Sequence, residues 1–357
     1  MGIKKIVITA MLILASVVFS RPSEAGVIFL NIDAGARATG MGNSFVALAD
    51  DATATYWNPA GLAYQEGKEF SVMYANWLPG FNLKNDTMYY MFSAYKQNIP
   101  GLGTIGGNIV YLYLGEMQRT NELGQEEGTF TTYETAATLS YGTDLSEELA
   151  IGLNVKFIYS HLSDQGAGKE KGSGTGYSTA LDLGLMYLPT DELSIGMSIS
   201  NMGPKISYID YEQADPLPTN LKLGFAYYLL NDDINSLVIT GDMNKLLVRR
   251  GIDTDDNGKI EGDEVNETDP IYKAIFTSWT DDDGLEDIIW GVGAEYWYND
   301  LVALRAGMWK DKMGDISATT VGTSFRFSDY IFDMSYLIEK ENHPLNETLR
   351  LAVNFLM

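Results

Sequence analysis

The sequence predicts an all-β protein: a fourteen-stranded antiparallel transmembrane β-barrel, with an N-terminal segment that plugs its periplasmic side or lumen. Three observations predict it. From about residue 68 the chain alternates, as in Leu149, Ile151, Leu153, Val155, Phe157 and Tyr159 against Ala150, Gly152, Asn154 and Lys156. A period of two marks strands with one apolar face. The polar faces carry small residues and charges rather than long solvated side chains, and aromatics gather near strand ends in "YWYND" and "SYLIEK", where membrane interfaces fall. The chain also ends inside a strand, "TLRLAVNFLM", so the last strand is able to pair with the first and leave no edge.

The N-terminus predicts export. Lys4 and Lys5 precede the apolar run "IVITAMLILASVVF" and then "SRPSEA". This is a basic region, an apolar core and a small-residue cleavage pattern, with Ser23 and Ala25 at −3 and −1, so residues 1–25 read as a signal peptide. Beyond it no run of 18 apolar residues offers a membrane helix. There is no cysteine, which excludes disulfides, thiolate chemistry and Cys-ligated zinc. A net charge of −24 opposes nucleic-acid binding, because phosphates would be repelled. Residues 26–66, rich in Gly and Ala and without a strand period, read as the plug or hatch, and residues 67–357 as the barrel.

The alternation predicts strands over about 68–78, 86–97, 103–116, 129–143, 147–162, 175–189, 192–202, 219–230, 235–247, 286–298, 301–310, 316–327, 329–339 and 347–357. Each is near the roughly 9–11 residues that a tilted strand needs to cross a bilayer. Connections after even-numbered strands are tight ("NIPGL", "DLSEE", "TDE", "NDDIN", "YND", "FSD"), whereas those after strands three, five, seven and nine are long. Bacterial barrels keep short turns in the periplasm and long loops outside, so both termini are expected in the periplasm. "GLGTIG" (Gly101 to Gly106) matches a dinucleotide fingerprint only in letters, since no helix follows it.

The longest loop, about 248–285, holds "DTDDNGKIEGDE". Asp253, Asp255 and Asn257 supply oxygens at positions 1, 3 and 5 of a calcium loop. Gly258 allows the turn, the Lys259 carbonyl serves position 7, Glu261 sits at position 9 and Glu264 closes position 12. A structural calcium ion that holds an extracellular loop in one shape is the expectation.

Strand parity sends Glu134, Lys156, Asp182, Lys222, Asp242, Glu295, Arg305, Arg326, Asp333 and Arg350 inward, five acidic and five basic. Buried charges need partners, so a cross-lumen ion-pair network is expected. Only His161 and His343 are available as catalytic bases. His161 with Ser163 two residues on lacks a third group to orient it, so a hydrolase is not expected.

The stretch "GARATGMGNSFVALADDATATYWNPAGLA" resembles the N-terminal signature of FadL-like fourteen-stranded barrels, and with "MYANWLPG" and "YLYLGEM" it resembles the PorV/PorQ family more closely. That resemblance implies a non-enzymatic role in type IX secretion, with a giant translocon barrel and the C-terminal domains of secreted cargo as partners. The broader FadL-like group implies an alternative, uptake of hydrophobic small molecules. Trp57, Asn58, Pro59 and Gly61 read as turn and packing residues of the plug. Trp77, Leu78 and Pro79, on the first outside loop, are the better candidates for partner contact, because exposed aromatics anchor interfaces.

Overall fold

The computed structural model describes residues 25–80, 88–120, 125–164, 174–208, 214–249, 251, 254, 268–280, 285–340 and 343–357. Among these residues fourteen strands form one closed antiparallel barrel. They are β1 (Lys68–Asn76), β2 (Tyr89–Ile99), β3 (Gly103–Thr120), β4 (Glu126–Asp144), β5 (Leu149–His161), β6 (Thr175–Tyr187), β7 (Leu193–Met202), β8 (Asn220–Asn231), β9 (Asn235–Leu246), β10 (Ile289–Tyr298), β11 (Val302–Asp311), β12 (Ile316–Phe327), β13 (Tyr330–Ile338) and β14 (Leu349–Leu356). Every expected strand is present, and β14 closes on β1 from Glu69↔Leu356 to Ala75↔Arg350. Closure pairs the backbone groups that hydrocarbon could not satisfy.

The alternation has its physical counterpart in exposure. Ile151, Leu153, Phe157, Leu181, Leu183 and Leu185 point outward and are exposed, while Asn154, Lys156, Asp182 and Ser198 are buried inside. Near the long-loop end, outward tyrosines stack from strand to strand: Tyr74 on Tyr89, Tyr111 on Tyr133, Tyr133 against Tyr159, and Tyr159 against Tyr177. Tyr330 stacks on Phe355 at the short-turn end. Amphipathic rings of this kind suit the two membrane–water interfaces.

One connection differs from expectation. The third, read as a long loop, is largely ladder, because β3 and β4 stay paired as far as Thr120↔Glu126. Gly115 and Gly128 take φ of 101° and 113° there, and the register shifts at Gly115. Above the membrane neither face of a hairpin is buried in lipid, so the apolar alternation that reveals the lower strands fades.

The N-terminal segment lies against the inner wall. It carries a 3₁₀ turn (Ile28–Asn31), two single-turn helices, α1 (Ala36–Thr39) and α2 (Ala54–Trp57), and a second 3₁₀ stretch (Pro59–Tyr64). Phe29, Met41, Phe45, Trp57 and Leu62 are fully buried, each contributing about 1.5–3 kcal/mol. Close approach to the wall is possible because glycines face inward where the segment passes. Gly142, Gly152 and Gly184 are cross-strand neighbours on β4, β5 and β6. A Cβ on Gly152 would fall 2.2 Å from the Pro59 carbonyl carbon, and one on Gly184 2.2 Å from Asn58 Oδ1. Gly42, at φ 64°, fits between β10 and β11, where a Cβ would lie 2.5 Å from the Val292 carbonyl oxygen.

Gly152→Leu is therefore expected to displace the 3₁₀ stretch, costing about 1–3 kcal/mol as overpacking does. The temperature at which the folded barrel converts to the unfolded band on a semi-native gel should fall. An unchanged temperature would mean that the segment is not held against this wall.

Candidate functional site: a filled lumen and the loops above it

The charges that parity sent inward are largely buried, but they seldom meet one another across open space. Three of them, Glu295, Lys222 and Asp242, hold the N-terminal segment, while Lys156 with Asp182 and Arg305 with Glu295 and Asp333 pair along the wall. Arg37 of α1 forms a two-pronged pair with Glu295, Nε to Oε2 at 2.8 Å and Nη2 to Oε1 at 2.7 Å, and its Nη1 reaches Asp50 at 2.6 Å and Asp51 at 3.1 Å. Glu295 Oε2 also accepts from Arg305 Nε at 2.5 Å. Arg305 Nη1 donates to Ser324 at 2.5 Å and lies 3.4 Å from Asp333. Asn354 then bridges Asp333 to Ser71. The chain of contacts runs through β10, β11, β12, β13, β14 and β1, with the N-terminal segment at one end.

Three further anchors follow the same logic. Lys222 Nζ pairs with Asp33 at 3.0 Å and sits 3.9 Å from the centre of the Trp57 ring, a cation–π contact. Asp242 Oδ2 accepts the backbone amides of Phe45 and Val46 at 2.7 and 2.9 Å. Lys156 pairs with Asp182 at 3.1 Å, and Asn154 joins Asp182 to the Thr55 carbonyl. Breaking one partner of such a buried pair costs about 3–5 kcal/mol, because the survivor is left desolvated. Glu134 is held by the Ser160 hydroxyl at 2.8 Å, and Arg350 is buried with its Nε unpartnered.

Arg326 departs from the expected network. It is half-exposed at the short-turn rim, 3.8 Å from Asp300, which is 80% exposed. Its place one residue before the end of β12 puts it where the wall opens to solvent. Arg37, Asp33 and Asp50 were not anticipated, since parity assigns faces only within strands. Inward-facing glycines were the available signal, because they mark where another backbone comes close.

The "WNPAG" residues form the segment's tightest turn. Asn58 Nδ2 donates to the Val46 and Leu185 carbonyls, and its Oδ1 accepts from Ala60 N, capping the 3₁₀ stretch that Pro59 begins. Trp57 Nε1 donates to the Ala34 carbonyl at 2.9 Å. Gly61 has no room for a Cβ, which would lie 2.2 Å from the Ala49 carbonyl oxygen.

At the long-loop end Trp77 is half-buried and packs beside Tyr90, ring centres 6.3 Å apart, against an apolar cluster that includes Phe29, Phe92 and Ile206. It is not the free aromatic anchor expected; Leu78 and Pro79 beside it are also half-buried. The cavity left between Leu30, Tyr56, Val110 and Ala136 measures about 10 Å³, room for no more than about one water. His161 faces Thr175 through Nδ1 and Asp164 through Nε2. The calcium-loop positions Asp253, Asp255, Asn257, Lys259, Glu261 and Glu264 lie outside the described residues. The described part of that loop is tied down by Lys245, buried and 2.6 Å from Asp287. Above it, helix α3 (Ile271–Thr277) is held by Asp269, which meets Lys273 and the Thr277 hydroxyl, both at 2.7 Å.

The fold defines an outer-membrane β-barrel with its N-terminal segment packed against the inner wall. Within that class, residues 20–253 match the family model described as type IX secretion system protein PorV. The match covers more than half of the chain, and the chain belongs to this family. Among solved structures the fold is similar to the toluene transporter TbuX of Ralstonia pickettii (TM-score 0.54, 15% identity, 91% of this chain and 98% of that one). It is equally similar to the toluene transporter TodX of P. putida (TM-score 0.54, 11% identity, 91% and 98%). At such identity the likeness concerns fold alone. No curated protein sequence matches.

Burial works to raise the Asp269 carboxyl, but the Lys273 ammonium, the Thr277 hydroxyl and the Arg249 charge outweigh it and hold the group below the usual Asp range. A depressed pKa contributes stability above the unfolded value, about 4, and loses it as pH falls through the folded one. Hydrogen-exchange protection of the Ala274 amide, corrected for intrinsic rate, should hold from neutrality to about pH 4 and decline below. Asp269→Asn should remove that decline. A decline beginning near pH 6 would contradict the assignment.

Proposed function

We propose that this chain is a non-catalytic outer-membrane component of type IX secretion whose long loops bind the translocon barrel, secreted cargo domains, or both. The PorV-family match carries the reading. The packing of the interior supports it: the cavity beside Leu30 and Tyr56 measures about 10 Å³, and Arg37 and Asp33 of the N-terminal segment pair with the wall at Glu295 and Lys222. The cavity of about 680 Å³ at the short-turn end is lined by charged side chains, Arg37, Asp51 and Glu295 among them, which leaves the surface loops as the better place for partner contact. Hydrophobic uptake, suggested by the toluene transporters, would need an apolar chamber where Leu30, Ile158 and Tyr56 now belong to one packed cluster.

In this reading residues 1–25 are a cleaved signal peptide, residues 26–66 close the lumen, and the short turns and both termini face the periplasm. The Asp253–Glu264 motif takes calcium as a structural staple on the outer surface.

The test is affinity purification from the native outer membrane in mild detergent with calcium present, followed by mass spectrometry. A very large barrel and secreted proteins that share a C-terminal domain are expected, and the Asp253→Ala/Glu264→Ala variant should recover less of them. A lone barrel carrying fatty or aromatic ligands would overturn the secretion reading. Orientation is checked separately in this cysteine-free chain. An impermeant maleimide should label Lys312→Cys on intact cells and Asp233→Cys only after lysis.

A further inference from the structure

The short-turn end is acidic. Its exposed turns carry Asp144, Glu148, Asp191, Glu192, Asp233 and Asp329 among other carboxylates. The basic side chains at this end, among the described residues, are Lys68, Lys96, Arg326 and, deeper, Arg37 and Arg305, the last committed to Glu295 and Asp333. Of these, Arg37 is committed to Glu295, Asp50 and Asp51, and Lys96 donates to the Glu66 carbonyl. The amides of Asn235 and Ile234 hold the Asp232 carboxyl below the usual Asp range, so that turn stays ionised.

Acidity alone does not make a site, but a pocket opens in this face. A cavity of about 500 Å³ lies between the N-terminal segment and the β6–β7 turn. Gln65 lines it, 6% exposed. Its Nε2 donates to the Ala49 and Asp51 carbonyls at 2.9 and 3.1 Å, while its Oε1 has no partner. The Tyr64 hydroxyl, also lining the cavity, has none either. Leu48, Met186 and Leu188 supply apolar walls, Glu66, Asp191 and Glu192 supply negative charge, and Lys96, turned to the Glu66 carbonyl, supplies one positive charge. An orphaned buried acceptor calls for a donor, and apolar walls below a charged rim suit a long aliphatic stem with a cationic end. No group of three or more Asp, Glu or His side chains among the described residues converges in a way that could hold a metal ion. The carboxylates, spread over several turns, match a chain of positive charges rather than one ion.

We propose that this face is a docking surface for a basic segment of a partner polypeptide, with one lysine or arginine side chain inserted beside Gln65. The partner's compartment rests on the orientation proposed above, which makes it periplasmic. The binding chemistry does not.

The test uses the full-length chain in nanodiscs of zwitterionic lipid, with fluorescent octalysine and octaglutamate peptides followed by anisotropy. Octalysine should bind and octaglutamate should not, and octalysine affinity should fall at least about tenfold between about 50 and about 500 mM salt. Asp191→Asn/Glu192→Gln, on an exposed turn that does not hold the fold together, should weaken binding several-fold, as should Gln65→Leu in samples that keep folded gel mobility. Asp315→Asn, at the opposite end of the barrel, should not. The proposal is overturned by absent octalysine binding, by binding that responds to Asp315 and ignores Asp191 and Glu192, or by displacement with equimolar spermidine, which would mark a small-cation site. Insertion direction does not enter a nanodisc measurement, so an unexpected maleimide pattern in cells would leave this result standing, and failure here would leave the orientation standing.

Discussion

A ring of fourteen strands encloses more space than its own inward side chains are able to fill, and in this barrel the N-terminal segment packs against the inner wall. That one constraint orders the rest of the interior. Wall charges left alone in a desolvated lumen would be intolerable, so Glu295, Lys222 and Asp242 find their partners in Arg37, Asp33 and the amides of Phe45 and Val46. Inward glycines give up side-chain packing so that the two backbones come into contact. The N-terminal segment is thus held to the barrel wall through both polar and backbone contacts.

The place of the segment in the barrel bears on where function lies. The upper interior is packed with Phe29, Tyr90, Phe92 and Ile206, and the cavity of about 680 Å³ at the short-turn end is lined by charged side chains, Arg37, Asp51 and Glu295 among them, which does not suit an apolar solute. What remains for interaction are the two ends: the long connections and the extended β3–β4 hairpin on one side, an acidic face on the other. A family defined by secretion rather than by solute uptake is consistent with such a molecule, even though the folds of toluene transporters superpose on it across most of its length.

Much of this was legible in the sequence, and the limits are physical. Period-two alternation exposes every strand whose two faces meet different media, so Leu149 to Tyr159 declare β5 at once. The upper β3–β4 ladder meets water on both faces and stays silent. Parity says that Asp182 and Glu295 point inward, yet it carries neither height along the barrel axis nor position around it, so it could not pair Glu295 with Arg37, 258 residues away. Arg326 shows the same weakness at a strand end, where inward no longer means buried. Trp77 looked like a surface anchor because it follows β1, and it turns back onto Tyr90 instead.

The most direct test of the central claim is electrical. Purified full-length protein, inserted into a planar bilayer, should show no sustained ionic current, while a variant in which Glu295→Ala and Asp242→Ala release the N-terminal segment should show steady open-channel conductance. A stable porin-like conductance from the unmodified chain would contradict the account, because ions would then be passing through a lumen that the segment is said to close.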